Sequence, residues 1–244
     1  MKNSFLKTVG KSSSIILAVL ILSLTACSKN EPEPKPEGAF VVTISGTISH
    51  ETHTAGQSAT VTFSRFPASV DEFRAAQQQI GGEPQGAVAL QLMAAEMYRR
   101  NANRGTQCIG LCNVKSNIEL QMSRWRQLFD LKDETQYARP YQIAAFLRGA
   151  TPDNDYTPNE PYTVEVRVSN SHPYTQETML YNATVITLEV LTKGKDSGAE
   201  RVEVIKPGKC NDFPNGSAYF LVHNCPGLYS QVRQIYDPNW NKLK

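Results

Sequence analysis

The sequence predicts an α+β fold, in which an N-terminal hairpin and C-terminal strands form an antiparallel sheet with about four helices between them. Three observations support this prediction. Near both ends of the folded part, β-branched residues alternate with polar ones, as in half-buried strands. Between these segments, apolar residues recur at helical spacing. Strands and helices segregated along the chain in this way are typical of α+β rather than α/β folds.

The first predicted element is a hairpin. Residues 39–49 (A-F-V-V-T-I-S-G-T-I-S) and 57–65 (Q-S-A-T-V-T-F-S-R) both show β-branched alternation. A polar segment that contains Gly56 connects them. Two such runs with a turn-like connection predict two antiparallel strands.

Two helices are predicted next. Ser69-Val-Asp-Glu72 has the spacing of a capping box, which predicts a helix that ends at Gly81-Gly82. Pro84 then opens a helix over Gln85–Arg100. Its central part is apolar on every side except at Gln91. A surface helix would have a polar face, so this helix is predicted to be central and buried.

Two further helices follow. Ser116-Asn-Ile-Glu119 has the pattern of a second capping box. The helix behind it carries an apolar stripe at spacings of four, three and four residues, formed by Ile118, Met122, Trp125 and Phe129. The stripe predicts a core-facing side. Arg139-Pro140 predicts the start of a fourth helix, with Gly149 at its end.

The remaining elements are predicted strands. Tyr162–Ser169 alternates with Val164, Val166 and Val168 on its inward side. The later strands are Thr178–Thr192, Arg201–Lys206 and Ser217–Asn224.

Four segments of this region carry a resemblance to a known family: F-P-A-S-V-D-E-F-R-A-A-Q, E-P-Q-G-A-V-A-L-Q-L-M-A-A-E-M-Y-R-R, A-R-P-Y-Q-I-A-A-F-L-R-G-A-T-P and Y-F-L-V-H-N-C-P-G-L-Y. They resemble an uncharacterised domain family of gut-type anaerobic bacteria, over roughly residues 66–230. The resemblance implies a single domain. It implies no activity and no catalytic residues.

The N-terminus reads as a secretory signal peptide over residues 1–26. A basic start precedes an apolar run, Ile15–Leu22, that is too short to span a bilayer of about 30 Å. Leu24-Thr25-Ala26-Cys27 then resembles the lipobox of bacterial lipoproteins. That resemblance implies cleavage by signal peptidase II and attachment of palmitate-type acyl chains to Cys27. The alternative is an ordinary signal peptide followed by a chance cysteine.

Residues 27–38 are predicted to be a tether, and residues 39–244 a single folded domain. The tether alternates Pro with charged residues, which favours an extended spacer that reaches roughly 34 Å at about 3.1 Å per residue. Ser28 stands where many inner-membrane lipoproteins of Gram-negative bacteria have Asp. By that analogy the anchor is expected in the outer membrane of the cell envelope.

The charge balance excludes one class of partner. Residues 1–26 contain three Lys and no acidic residue, so their removal leaves 22 basic against 23 acidic residues. A domain of that charge is not expected to bind nucleic acid. No motif for a cofactor is present, so none is predicted.

Four cysteines remain after Cys27: Cys108, Cys112, Cys210 and Cys225. In an exported protein an even count favours disulfides, and all four are candidate partners. Cys108 and Cys112 are close enough for a local loop bridge, whereas a tight hairpin would separate Cys210 from Cys225. The spacings do not match a zinc finger, and no metal site is predicted.

Catalytic patterns are weak. His50-Glu-Thr-His53 has the wrong spacing for a zinc protease helix and is predicted to decorate a loop. His223 and Cys225 would share a strand face, as in a Cys–His nucleophile pair, although a core or disulfide cysteine beside an ordinary His is the simpler interpretation. Glu96 precedes Arg99 and Arg100 by three and four residues, which predicts local ion pairs, or alternatively a partly buried catalytic acid.

The favoured function is therefore an accessory or binding lipoprotein displayed from a membrane, with a glycan or protein partner. Trp240 and the Tyr-rich tail are the one hint of a sugar-stacking surface. The basic residues between Arg99 and Arg126 could form an anion-binding face, although a solvated helix face is the simpler interpretation. The alternatives are a structural envelope component and, less favoured, a hydrolase with an unrecognised site.

Overall fold

The computed structural model describes residues 38–50, 56–129, 139–171, 173–235, 237 and 240–244. All of these residues lie in one compact unit, Lys35–Lys244. Within the described ranges the chain forms seven strands in one antiparallel sheet and five α-helices, which confirms the predicted α+β class. The signal peptide and Cys27 lie outside the described residues, as does the tether up to residue 37.

The elements follow one another as strands, helices and strands. The strands are β1 (Val42–Gly46), β2 (Ser58–Phe63), β3 (Tyr162–Val168), β4 (Tyr174–Glu177), β5 (Ala183–Leu191), β6 (Ala199–Ile205) and β7 (Leu221–Asn224). The helices are α1 (Val70–Ile80), α2 (Pro84–Arg100), α3 (Ala102–Cys112), α4 (Lys115–Phe129) and α5 (Tyr141–Ala144), and a short 3₁₀ helix covers Pro152–Asn154.

The sheet runs in the order β1-β2-β3-β5-β6-β7, and β4 pairs with β5 beyond the end of β3. The β1–β2 hairpin was predicted and is confirmed. The inward valines of β3 are also confirmed: Val164, Val166 and Val168 are at most 2% exposed. Strand β4 was not predicted, and the first part of the strand predicted over Thr178–Thr192 is instead the turn between β4 and β5.

The strands of the sheet finish at two opposite ends, the first end and the second end. At one end Val42 of β1 pairs with Phe63 of β2, which pairs with Tyr162 of β3. At the other end Ala183 of β5 pairs with Glu177 of β4. The described chain enters beside Arg65, whose guanidinium donates to the Gly38 carbonyl at 3.2 Å. The point of entry therefore lies at the first end.

Helix α2 is the central helix, as its apolar sequence predicted. Every residue from Pro84 to Tyr98 is buried. It contacts helices α1, α3, α4 and α5 on one side and strands β2, β5, β6 and β7 on the other. The main core is therefore assembled around α2, between the sheet and the remaining helices.

Helix α3 was not predicted. Its N-cap is Asn101, whose side chain accepts a hydrogen bond from the Arg104 N–H at 3.1 Å. Gly105 allows α3 to approach α2 closely, since a β-carbon there would lie 2.2 Å from Tyr98 Cα. Cys108 and Cys112 consequently lie on the buried face of a helix rather than in the loop that the sequence suggested.

The two predicted capping boxes have different outcomes. The Ser69 hydroxyl accepts from the Glu72 N–H at 3.1 Å, as predicted. The Glu72 carboxylate does not return a bond to Ser69; it accepts from the Ala68 N–H and from both terminal nitrogens of Arg65, each at 2.8 Å. The second box is wrong because α4 already begins at Lys115, so that Ser116 lies inside the helix.

Among the described helices, none has the length and the apolar composition that a bilayer-spanning segment needs.

Candidate functional site

A groove of about 570 Å³ lies at the second end of the sheet. Three segments that are distant in sequence form it: the start of α4, the β4–β5 turn, and the loop that follows β6. Its lining residues are Lys115, Ser116, Thr178–Asn182 and Lys209–Asp212. The volume is in the range of ligand sites, about 300–1,000 Å³.

The β4–β5 turn is the most exposed apolar feature of the groove. Met179 is 92% exposed and Leu180 is 62% exposed, although both are large apolar residues. The turn closes at Asn182, which has a φ of 45°, in the left-handed region that Asn tolerates better than most residues. The chain therefore presents two apolar side chains to solvent at the rim of the groove.

The carboxylate of Glu177 holds this turn. It accepts hydrogen bonds from the backbone N–H groups of Met179 at 3.2 Å, Leu180 at 3.1 Å and Tyr181 at 2.6 Å. Burial raises the pKa of Glu177, but the three N–H donors outweigh burial, so its pKa lies below the ordinary value of 4.5. The turn is thus fixed by a charged acceptor from within its own hairpin.

The floor of the groove is formed by Tyr181 and Cys210, which belong to a small apolar cluster. This cluster is separate from the main core. Its buried members are Val114, Tyr181, Val185, Ile205 and Leu221, and Cys210 and Phe213 pack against it partly buried. The rings of Tyr181 and Phe213 meet edge to face, with centroids 6.3 Å apart. The groove therefore combines an apolar floor with an apolar rim.

The charged residues of the groove are Lys115, Lys209 and Asp212. Both lysines are exposed. Within the part of the chain that the structure describes, neither lysine has an acidic side chain within ion-pair distance. The charges of the lining residues themselves sum to +1, and the two exposed lysines favour an anionic group in a ligand.

Beneath Tyr181 lies His223 on β7, with ring centroids 5.9 Å apart. Its Nδ1 is 3.4 Å from Oε2 of Glu203 on β6. The hydrogen bond from His223, opposed by burial, lowers the pKa of Glu203. This pair links the neighbouring strands β6 and β7 next to Tyr181.

The nucleophile pair of His223 and Cys225, which was the less favoured interpretation of the sequence, is not formed. Cys225 is fully buried in the main core, where its Sγ is 3.7 Å from Asn117 Nδ2 and 3.8 Å from Gln91 Nε2. Burial raises the pKa of Cys225 to about 12. His223 instead contacts Glu203 and Tyr181, so the two side chains lie in different surroundings.

Glu96 forms the local ion pairs that its spacing predicted. It is 0% exposed, and its oxygens accept from Arg99 at 2.6 and 2.8 Å and from Arg100 Nε at 2.7 Å. Arg100 also donates to the Leu243 carbonyl at 3.2 Å. Its partners are two arginines and not a second carboxylate or a histidine, which favours a structural role over that of a catalytic acid.

A buried chain of side-chain amides, hereafter the amide ladder, joins α2 to α4. Gln91 accepts from Asn113 at 2.6 Å, Asn113 accepts from Asn117 at 2.7 Å, and Asn117 accepts from Gln121 at 3.3 Å. All four residues are at most 3% exposed. The hydrogen bond from Asn113 accounts for the presence of Gln91, the one polar residue in the apolar stretch of α2.

The four candidate disulfide cysteines are free thiols in the structure. Three are buried, and only Cys210, in the groove, is half-exposed. Cys108 Sγ lies 3.6 Å from Met97 Sδ, and Cys112 Sγ lies 3.3 Å from Asn113 Nδ2. Disulfide formation stays a prediction that the mass of the native chain can check.

The sequence hint of a sugar-stacking surface is wrong for Trp240. This side chain is 3% exposed, and its indole N–H donates to the Asp155 carbonyl at 2.7 Å. Tyr229, also in the tail, is fully buried. Both aromatic residues belong to the core because the C-terminal tail packs onto it.

The His50–His53 pattern is only half described, because residue 53 lies outside the described residues. His50 Nε2 is 3.0 Å from Glu83 Oε2, and its ring meets Phe220 edge to face. Among the described residues, no group of three or more His, Cys, Asp or Glu side chains is placed to hold a metal ion.

The groove was missed by sequence reasoning because its three walls lie more than 20 residues apart along the chain. One local signal was present: Met179-Leu180 is followed by Tyr181-Asn182, and Asn is typical of a turn.

Comparison with curated proteins and with solved structures gives no match. A family model described as a domain of unknown function (DUF6935) matches residues 65–236, which is most of the folded unit. The chain therefore belongs to the DUF6935 family.

Proposed function

We propose that this chain is a lipid-anchored protein of the cell envelope that binds a partner through the groove at the far end of its sheet. The lipobox at Leu24–Cys27 supports the anchor, and Ser28 supports the outer membrane as its location. The Pro- and Glu-rich tether lifts the domain from the lipid headgroups. The groove supplies the binding surface.

One observation carries the proposal: the chain entry and the groove lie at opposite ends of the sheet. From Val42 the pairing leads to Tyr162, then four residues along β3 to Val166, which pairs with Val190. Seven residues along β5 then lead to Ala183 at the groove end. At about 3.3 Å per residue this is roughly 36 Å. An anchor attached before Val42 would therefore join the domain at the end opposite the groove.

The experiment that tests the anchor is metabolic labelling with palmitate. The wild-type chain should incorporate the label and be cleaved before Cys27, whereas Cys27→Ala should do neither and should accumulate at precursor size. Cys210→Ala is the matched control, since it removes a cysteine outside the lipobox. Normal palmitate incorporation in Cys27→Ala would contradict the proposal.

A structural envelope component is the second candidate, and the burial of Trp240 favours it over a glycan-binding protein. The exposed apolar rim argues for binding, since a purely structural domain has no need to expose Met179 and Leu180. Replacing both rim residues by Ser separates the two. If the chain is a binding protein, the double variant should no longer bind the partner, although its melting temperature is unchanged. If the chain is a structural component, the double variant should match the wild type in both respects.

A further inference from the structure

We infer that the groove takes a peptide segment of a partner protein in which an apolar side chain stands next to an acidic one. This inference rests on the proposed function, since it names the ligand class of the same groove. Three properties of the groove carry it: the apolar floor and rim, the two lysines, and the amide side chains of Asn182 and Asn211.

The apolar part of the ligand is set by the floor and the rim. Tyr181 and Cys210 form the floor; Tyr181 is buried and Cys210 is half-exposed. Met179 at the rim has an unbranched, flexible side chain, which adapts to ligand side chains of different shapes. A leucine-sized side chain packed against the rim would cover exposed apolar surface of Met179 and Leu180 and would remove its own surface from water.

Lys115 and Lys209 favour an acidic side chain in the ligand. They approach the groove from different elements, the start of α4 and the loop after β6, and both are exposed. Asp212 offsets one of the two positive charges. A ligand with one or two carboxylates would therefore be attracted, and a cationic ligand repelled.

The polar lining favours a peptide over a lipid. Asn182 and Asn211 present side-chain amides, and Ser116 a hydroxyl, among the apolar residues of the groove. Such groups can both donate to and accept from a peptide backbone. A hydrocarbon chain would cover them without offering a partner, which is costly. A glycan is not favoured either, because the one aromatic ring of the groove, Tyr181, is only 3% exposed.

The rim is already ordered before a ligand arrives. Glu177 binds the N–H groups of Met179, Leu180 and Tyr181, so the apolar side chains are held outward by the hairpin itself. A site in a fixed conformation loses little conformational entropy on binding. This arrangement suits the capture of a short peptide segment, which has few contacts to offer.

The test uses the thiol of Cys210 as a native reporter. The protein is the mature chain from residue 27 with Cys27→Ser, and the reagent is the uncharged N-ethylmaleimide. The probes are two peptides with a central Leu-Leu pair, one flanked by Glu and the other by Lys. We expect the Glu peptide to slow alkylation of Cys210 and to bind at least about tenfold more tightly than the Lys peptide, by fluorescence anisotropy.

Variants assign the effect to the groove. Lys115→Ala with Lys209→Ala should make the two peptides bind equally, and Met179→Ser with Leu180→Ser should abolish binding of both. Lys193→Ala is the matched control, because Lys193 is an exposed lysine that follows β5 at the opposite end of that strand. Thermal melts of each variant show whether the fold is retained.

The outcomes separate this inference from the proposed function. Equal binding of both peptides to the wild-type chain would overturn it, as would binding that survives loss of both lysines. Protection of Cys210 by a glycan or by phosphatidylglycerol vesicles, but by neither peptide, would overturn the peptide class and leave the groove as a binding site. If no probe protects Cys210, the inference and the binding function both fail, while palmitate labelling still decides the anchor.

Discussion

Gly105 of α3 lies directly against the backbone of Tyr98 in α2, so closely that a β-carbon on Gly105 would be 2.2 Å from Tyr98 Cα. Gly105→Ala should therefore force the two helices apart and lower the free energy of unfolding by about 1–3 kcal/mol. Gly110→Ala on the same helix is the control, because nothing lies within 4 Å of its added carbon. That change should stabilise the chain by up to about 1 kcal/mol. Equal chemical-denaturation midpoints for the two variants would contradict the close approach.

The burial of α2 gives a second prediction. Leu92 is 0% exposed, so Leu92→Asp would place an unpaired charge in the main core at a cost of several kcal/mol. Little folded protein should remain, as judged by circular dichroism and by yield. Leu120→Asp on α4 is the comparison, because Leu120 is 43% exposed and should tolerate the charge. A cooperative melt near that of the wild type for Leu92→Asp would show that α2 is peripheral.

Glu177 predicts a pH dependence of the rim. Because its pKa is lower in the folded chain than the ordinary 4.5, the carboxylate stabilises the turn above 4.5, and this stabilisation is lost as the pH falls through the folded pKa. The amide proton signals of Met179, Leu180 and Tyr181 should shift together with a midpoint below 4.5 in NMR spectra. Glu177→Gln keeps an acceptor oxygen but cannot titrate, and should flatten the curve. A midpoint at or above 4.5 in the wild type would be inconsistent with the three N–H donors.

The cysteines differ in predicted reactivity. Burial raises the pKa of Cys108 and of Cys225 to about 12, and raises that of Cys112 as well, so these three thiols are protonated and shielded at neutral pH. In the chain with Cys27→Ser, N-ethylmaleimide should modify Cys210 alone until the protein is unfolded. Cys210→Ser should remain unmodified in the native state. The mass of the unreduced chain also checks the disulfide hypothesis, since each disulfide removes two hydrogens.

The sequence predicted those elements whose pattern is local. The alternation in β3 predicts a strand with one inward side, and the apolar surface of α2 predicts a buried helix. Both predictions are confirmed. Helix α3 was missed because two of its eleven residues are Gly, which is a poor helix former, and because tertiary contact with Tyr98 overrides that preference. Asn101 was the available signal, as an N-cap residue.

The candidate site could not be predicted in the same way. Lys115, Leu180 and Lys209 are brought together by the order of the strands, which no local pattern specifies. Trp240 was misjudged for a related reason: its burial depends on contact with Asp155, 85 residues away. Residue type alone is compatible with either an exposed ring or a core ring, and the tertiary fold decides between them.

The amide ladder has a consequence for how sequences of this family diverge. Its members point the same way, each donating to the next, so replacing one by an apolar residue strands the donor or the acceptor of its neighbour. Single steps away from Gln91, Asn113 or Asn117 therefore pass through less stable intermediates, whereas a joint change to apolar residues does not. We expect an alignment of relatives to show these positions either kept together or exchanged together, with mixed combinations under-represented.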